Sequence, residues 1–193
     1  MWPWEHLAFA YVLYSLYSNV IRRKSPSGRE AIAVVIGSQL PDIVDKPLAW
    51  TFAVTETGYS IGHSIFVAPV VCLLAYALAS RRGERVLAGA FSIAYLSHLV
   101  ADVINPWLMG RSLEPRVVLW PIASPPANDH GGLLEHFAVY FLRYVRVLLE
   151  GGLTTQATFQ LGMATAVLAL WLYDGAPIAA DCWRWLSARR NRL

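Results

Sequence analysis

Charged side chains are scarce in this sequence, and their scarcity argues against an ordinary soluble domain. Asp, Glu, Lys and Arg make up 15% of the 193 residues, whereas hydrophobic residues make up 56%. A typical soluble domain is about 45–50% apolar and about 25% charged. The mean hydropathy of +0.42 agrees with this difference. The composition therefore predicts a membrane protein with a single domain over residues 1–193.

Cysteine is also rare. Cys72 and Cys182 are far apart and form no Cys-x-x-Cys pair, which argues against a disulfide framework and a redox dithiol. Cys72 lies in an apolar run and Cys182 precedes Trp183, so both thiols are predicted to be buried structural groups. The formal charge of +3 comes from arginines at the ends of apolar runs, and this distribution requires no nucleic-acid partner.

Long apolar runs are abundant, and several approach the roughly 20 residues that a membrane-spanning helix needs. Clusters of Lys and Arg after alternate runs predict a multi-pass cell-membrane protein with its N-terminus outside and its C-terminus in the cytoplasm. The predicted fold is an all-α polytopic membrane helical bundle of about five to six helices. The segments are Trp4–Ile21, Glu30–Ile43, His63–Ser80, Val86–Ile104, Leu133–Leu149 and Thr154–Tyr173.

The second segment, Glu30–Ile43, is short for a membrane span. Pro41 is expected to end or kink its helix, because proline lacks an amide hydrogen and clashes with the preceding turn. A loop from Asp45 to Gly62 is predicted to follow. Transporters also use short, broken helices with charged residues, so this segment somewhat favours an ion transporter as an alternative.

The C-terminal part differs in composition from the rest. Residues 105–132 are rich in proline and are predicted to form an extracytoplasmic loop. Leu133–Leu149 carries Arg143 and Arg146, which predicts an amphipathic helix in the interface or over a site. The motifs thus fall in a core of about residues 4–121, and accessory helices are predicted at about residues 132–190.

Six metal-ligand side chains stand inside or beside the apolar runs. Ionisable residues in membrane spans are costly and usually mark function. In the predicted topology all six fall near the extracytoplasmic face, and two of them, four residues apart, share one helix face. Each has an ordinary explanation when taken singly, such as a helix cap, but their convergence predicts a metal site. The residues are His6, Asp42, Asp45, His63, His98 and Asp102.

Mixed histidine and carboxylate ligands suit a divalent metal ion, zinc first, with manganese or iron as alternatives. Such an ion lowers the pKa of bound water toward ~7 and polarises a phosphoryl or acyl oxygen. Asp45 is predicted to be the general base for that water or a ligand of a second ion. The predicted metal ligands are Asp42, His63, His98 and Asp102, with His6 as a fifth ligand or an orienting partner.

Further polar residues follow the core motifs. Arg111 and Arg116 are candidates for binding a substrate phosphate, and solvent or lipid head groups are the alternative partners. Four others could complete the site from above, or simply belong to a polar loop and an amphipathic helix. These four are Asp129, His130, Glu135 and His136.

The order of the motifs resembles the YdjM-like family, whose members are described by inference as membrane-bound metal-dependent hydrolases. The resemblance covers about residues 4–121 and rests on His6, LPDIVD at 40–45, GHS at 62–64, SHLVAD at 97–102 and LWP at 119–121. Family members often carry another His and an Arg just before the His-Ser pair, but residues 58–62 here are Gly-Tyr-Ser-Ile-Gly. The helical order also distantly resembles zinc-dependent phospholipase C and nuclease folds, in spacing alone.

The resemblance and the ligand set imply a hydrolase in which metal-activated water attacks a phosphoester or lipid-type ester at the extracytoplasmic face. The expected partners are the lipid bilayer and a phospholipid or another membrane-associated phosphoester. An ion or metal transporter is one alternative. A non-catalytic membrane protein is the other, with a structural metal site closed by four protein ligands.

Overall fold

The part of the chain that the structure describes is helical and contains no strand, which confirms the predicted all-α class. The computed structural model describes residues 1–127, 132–150 and 155–190. These ranges hold seven α-helices and one short 3-10 helix. The α-helices are α1 (Pro3–Val20), α2 (Gly28–Trp50), α3 (Ala68–Arg81), α4 (Arg85–Leu108), α5 (Leu133–Glu150), α6 (Thr155–Tyr173) and α7 (Ala179–Arg190), and the 3-10 helix is Pro115–Val118.

Helices α2 and α4 pack together along much of their length, and the other helices are arranged around this pair. α1 contacts both of them, α3 and the 3-10 helix contact α4, α6 contacts α1, and α5 contacts α2. Small residues line the central contact, which lets the two backbones approach closely. The buried residues of α1, α2 and α4 at this core are Ala10, Tyr11, Tyr14, Ala31, Val34, Ala90 and Ala94.

Helix α2 continues through Pro41 and Pro47 to Trp50, so the prediction that Pro41 ends or kinks a short helix is wrong in its boundary. The helix begins at a capping box, in which the Ser27 hydroxyl accepts a hydrogen bond from the Glu30 amide and the Glu30 carboxylate accepts one from the Ser27 amide. Each internal proline removes one backbone hydrogen bond. Packing against α4 compensates for that loss. Asp42 and Asp45 therefore both lie on α2, although a loop was predicted to begin at Asp45.

Other predicted boundaries also change. The loop predicted from residue 45 begins only after Trp50, and His63 lies in the connection before α3 rather than in that helix. The helix count exceeds the prediction because the basic C-terminal segment forms α7. There Arg184 pairs with Asp181 three residues earlier, a spacing that supports a helix. Cys182, predicted to be buried, is exposed on α7.

One described helix, Arg85–Leu108, is both long and apolar enough to cross a membrane. Ala68–Arg81 and Ala157–Tyr173 are apolar but shorter. Large apolar side chains on these shorter helices are exposed, including Leu73 and Leu168. Lipid can cover exposed apolar side chains of this kind.

Gly37→Ala is expected to destabilise the contact between α2 and α4. A Cβ atom at position 37 would overlap the carbonyl oxygen of Phe91 and lie 3.1 Å from the Cβ atom of Ala94. The backbone oxygen can yield only if the helices separate, so we expect the free energy of unfolding to fall by about 1–3 kcal/mol. The midpoint of thermal unfolding in detergent measures this loss.

Gly89→Ala is the matched control, because a Cβ atom at this position on α4 would have no neighbour within 4 Å. Alanine has the higher helix propensity, so the unfolding midpoint of this variant should be unchanged or slightly raised. Equal midpoints for the two variants would show that the contact at Gly37 is looser than described.

Candidate metal centre

Four buried side chains direct ligand atoms at one another. Asp42 comes from α2, His63 from the connection before α3, and His98 and Asp102 from α4. One ligand atom from each lies within 4.8 Å of the other three. The Nε2 atoms of His63 and His98 are 3.1 Å apart, and Oδ2 of Asp102 lies 3.3 Å and 3.4 Å from them. Asp42 Oδ1 completes the group at 3.4 Å and 3.6 Å from the same two nitrogens.

The other ring nitrogen of each histidine in this group faces an acceptor. Nδ1 of His98 lies 2.6 Å from the carbonyl oxygen of Ser38, and Nδ1 of His63 lies 2.8 Å from Oδ2 of Asp45. Because carbonyl and carboxylate oxygens can only accept, each Nδ1 carries a hydrogen. In the neutral rings both Nε2 atoms then present lone pairs to the centre, as they do in metal-ligating histidines.

With both imidazoles neutral, the four ligand atoms are all electron-pair donors, and they need positive charge between them. Oδ1 of Asp42 is buried and has no hydrogen-bond donor among the described residues. Buried oxygens without a donor are rare and call for an explanation such as an ion. Two imidazole nitrogens and two carboxylate oxygens suit zinc and similar divalent ions. The residues present thus fit a metal ion, and this group could hold one.

Asp45 lies behind His63 rather than in the ligand group. Its carboxylate accepts hydrogen bonds from the backbone amides of Ser60, Gly62 and His63, at 2.7, 2.8 and 3.0 Å. It also accepts from Nδ1 of His63, and it is fully buried. These contacts fix both the loop backbone and the orientation of the imidazole. They favour a positioning role for Asp45 over the predicted role of general base.

His6 is the remaining predicted ligand, and it lies on the other side of Asp102. Its Nε2 atom is 3.2 Å from Oδ1 of Asp102, and its ring stacks on the His98 ring with 3.6 Å between the ring centres. The Met1 amino nitrogen lies 3.0 Å from the same carboxylate oxygen. Asp102 therefore uses one oxygen toward the ligand group and the other toward α1, and His6 adjoins the group without entering it.

The loop that carries His63 is tied to the segment around the 3-10 helix. The Ser64 hydroxyl donates to the carbonyl oxygen of Trp120 at 2.7 Å, and the Ile65 amide donates to that of Val118 at 2.9 Å. From α4, the Tyr95 hydroxyl donates to the Gly62 carbonyl oxygen at 2.5 Å. These bonds hold an irregular segment in place and tie it to the backbone at Val118 and Trp120.

Three residues at the site were not predicted from the sequence. Ser38 and Lys46 lie four residues before and after Asp42, and this spacing would have indicated a shared face if the helix had been extended past Pro41. Lys46 pairs with Asp42. The rings of Tyr59 and His63 pack in a T-shaped arrangement with 4.9 Å between the ring centres. The charge of Asp102 raises the pKa of the Tyr59 hydroxyl well above its ordinary value, so this hydroxyl stays protonated.

The predicted phosphate-binding arginines make other contacts. Arg116 forms a bidentate pair with the Glu114 carboxylate at 2.7 and 2.6 Å, and these hydrogen bonds lower the pKa of Glu114. Arg111 is exposed and contacts the sulfur of Met109. The structure gives neither arginine a contact with the ligand group, and their role in binding substrate stays a prediction.

Of the four residues expected to complete the site, the structure describes two. Asp129 and His130 lie outside the described residues. Glu135 is exposed on α5, whereas His136 is buried and stacks on Trp50 with 4.3 Å between the ring centres. His136 thus lies against Trp50, whose ring centre is 5.8 Å from the Nζ atom of Lys46.

The fold and the site define an all-helical protein with a buried Asp/His/His/Asp group that could hold a metal ion. The profile of the YdjM inner membrane protein family matches residues 1–181. The chain therefore belongs to the YdjM inner membrane protein family, and the family indicated by the motifs is confirmed. No curated protein and no solved structure matches the chain.

Proposed function

We propose that this protein is a membrane-bound metal-dependent hydrolase that cleaves a phosphoester or a lipid-type ester. The observation that carries the proposal is the buried group of Asp42, His63, His98 and Asp102, in which four ligand atoms lie within 4.8 Å of one another. When bound, a divalent ion, zinc first, would supply Lewis acidity that activates water and polarises the phosphoryl or acyl oxygen. Membership of an inner membrane protein family supports action at the membrane.

The chain's own residues prepare the site for this chemistry. The Ser38 carbonyl and Asp45 hold the two imidazoles with their Nε2 lone pairs toward the centre. His6 supports Asp102 from the opposite side. The burial of these groups keeps bulk water away from the ligands and strengthens their electrostatic interactions.

We place the site at the extracytoplasmic face of a multi-pass protein with the N-terminus outside and the C-terminus in the cytoplasm. The arginine clusters that follow alternate apolar segments support this orientation. The site residues share one end of the bundle in either orientation, because His6 is near the start of α1 and Asp42 is in the second half of α2. His98 and Asp102 likewise lie in the second half of α4. Successive antiparallel helices bring these positions to one end.

The transporter alternative is weaker on the observed geometry, whereas four protein ligands are also what a structural metal site has. A transporter was favoured by a second helix broken at Pro41, but α2 is continuous through that residue. A structural metal site would be closed by four protein ligands. A catalytic site instead leaves a position for water, so turnover that depends on the metal separates the two.

Metal content is the first test. Protein purified in detergent should retain about one divalent ion per chain by inductively coupled plasma mass spectrometry, after loading with zinc or manganese and removal of free ion. Hydrolysis of small phosphoesters by the loaded protein should disappear with a chelator and return when the metal is restored. Protein that binds neither zinc nor manganese would overturn the hydrolase proposal.

A further inference from the structure

A cavity of about 200 Å³ lies beside the ligand group. Tyr59 connects the two, because it lines the cavity and its ring packs in a T-shaped arrangement with the ring of His63. Lys46 makes a second connection, since it pairs with Asp42 and its Nζ atom lies 5.8 Å from the centre of the Trp50 ring. The lining residues are Trp50, Thr57, Gly58, Tyr59, Pro125 and Pro126.

The walls of this cavity are held in place. Trp50 stacks on His136 with an angle of 8° between the ring planes. The Thr57 hydroxyl donates to the Tyr59 carbonyl oxygen at 3.1 Å and accepts from the Tyr59 amide at 3.2 Å. A Cβ atom at Gly58 would lie 3.0 Å from the Trp50 ring, so glycine is what lets the loop pack this closely. The cavity is therefore preformed, as small-molecule sites usually are.

Lys46 supplies a positive charge next to the lining residues Trp50 and Gly58. The Lys46 ammonium has three hydrogen-bond donors, and Asp42 takes one of them. The Lys46 side chain is 24% exposed, whereas the Asp42 side chain is 8% exposed. An anionic oxygen approaching the centre from the cavity would therefore meet Lys46, and charge-assisted hydrogen bonds of this kind are strong.

We propose that Lys46, Trp50 and Tyr59 form the substrate subsite, and that the substrate is an anionic phosphoester with a compact, ring-sized ester group. This inference rests on the proposed function and names its substrate class. Sites for drug-sized ligands measure about 300–1,000 Å³, so a cavity of about 200 Å³ accepts one ring rather than two acyl chains. Trp50 and Tyr59 receive the ring, and Lys46 binds a non-bridging phosphoryl oxygen.

The reaction in this arrangement is a simple hydrolysis. The oxygen of water forms a bond to phosphorus, and the bond from phosphorus to the ester oxygen breaks. The alcohol leaves from the cavity with a proton that comes from the water. Tyr59 lines the cavity, and its hydroxyl can donate a hydrogen bond to an oxygen of the phosphoryl group.

Calorimetry of metal-loaded protein tests the subsite with phenylphosphonate, whose P–C bond is not hydrolysed, and with inorganic phosphate. Wild-type protein should bind phenylphosphonate at least about tenfold more tightly than inorganic phosphate, because the ring adds stacking against Trp50. Trp50→Leu should bring that ratio close to one while phosphate affinity is kept. Lys46→Met should lower the affinity for both ligands by about tenfold or more, and Lys46→Arg should restore much of the lost affinity. Trp107→Leu, which changes an exposed tryptophan at the end of α4, should leave the ratio unchanged.

The ring-sized ester group of the substrate could belong to a soluble ester or to a lipid head group. Vesicles of phosphatidylcholine with phosphatidylinositol, compared with phosphatidylcholine alone, distinguish these sources. Displacement of phenylphosphonate by the phosphatidylinositol vesicles would identify a lipid substrate, and no displacement would identify a soluble ester. A wild-type ratio of one, or a ratio that Trp50→Leu leaves unchanged, would overturn the subsite. Metal retention is measured in parallel, so a failed subsite with a retained ion does not count against the hydrolase proposal.

Discussion

Asp102→Asn is expected to abolish metal retention by the purified protein. Oδ2 of Asp102 lies within 3.4 Å of both imidazole Nε2 atoms, and Oδ1 contacts His6, so this carboxylate joins the ligand group to α1. An amide keeps the shape but loses the negative charge that a divalent ion requires. We expect the affinity for zinc to fall by more than about 100-fold, because even partners outside the ligand shell contribute about 10–100-fold.

Asp181→Asn provides the control for this substitution. Asp181 is an exposed carboxylate on α7 that pairs with Arg184, and such surface pairs contribute about 0–1 kcal/mol. Its asparagine variant should retain as much metal as the wild-type protein in the same mass spectrometric assay. If Asp102→Asn kept a full equivalent of zinc after dialysis, Asp102 would be excluded as a ligand.

Asp45→Asn is expected to weaken both the fold and the metal site. The Asp45 carboxylate accepts hydrogen bonds from three backbone amides and from Nδ1 of His63. Asparagine would offer a single acceptor oxygen, and its N–H group would face these donors. We expect a loss of about 2–3 kcal/mol in the free energy of unfolding, since hydrogen bonds to charged groups contribute about 1.5–3 kcal/mol each. Zinc affinity should fall by about 10–100-fold as His63 loses its fixed orientation.

The control is a carboxylate with similar hydrogen bonding at a distant site. Asp174 accepts hydrogen bonds from Tyr11, Ser15 and Asn19 at 2.7–2.8 Å, and it contacts none of the ligand group. Asp174→Asn should lower the unfolding midpoint by a comparable amount without changing zinc affinity. Unaltered zinc affinity in Asp45→Asn would refute the positioning role, whatever happens to stability.

The convergence of the ligand residues could be predicted because it depends on simple periodicity. His98 and Asp102 are four residues apart, so any helix through them aligns the two side chains. Helices that alternate in direction bring the start of α1, the second half of α2 and the second half of α4 to one end. The structure shows this arrangement for Asp42, His63, His98 and Asp102.

The continuity of α2 could not be predicted, because the rule that proline ends helices is local and the stabilisation of α2 is tertiary. Its packing against α4 carries the helix through Pro41, and only then do Ser38 and Lys46 share a face with Asp42. The positioning role of Asp45 could likewise not be predicted. Its partners are backbone amides of a loop 15 to 18 residues away, and no side-chain pattern in the sequence indicates such contacts.

The glycine contact between α2 and α4 also sets the tolerance of the metal centre to mechanical disturbance. Gly37 lets the backbones meet, and the next residue, Ser38, offers its carbonyl oxygen to His98 at 2.6 Å. Hydrogen bonds to oxygen lengthen only to about 3.2 Å, so a gap wider by about 0.6 Å would release the imidazole. Affinity for an ion at the proposed metal site would therefore depend on the spacing of the two helices. A lipid environment or a neighbouring protein that spreads them would weaken metal binding.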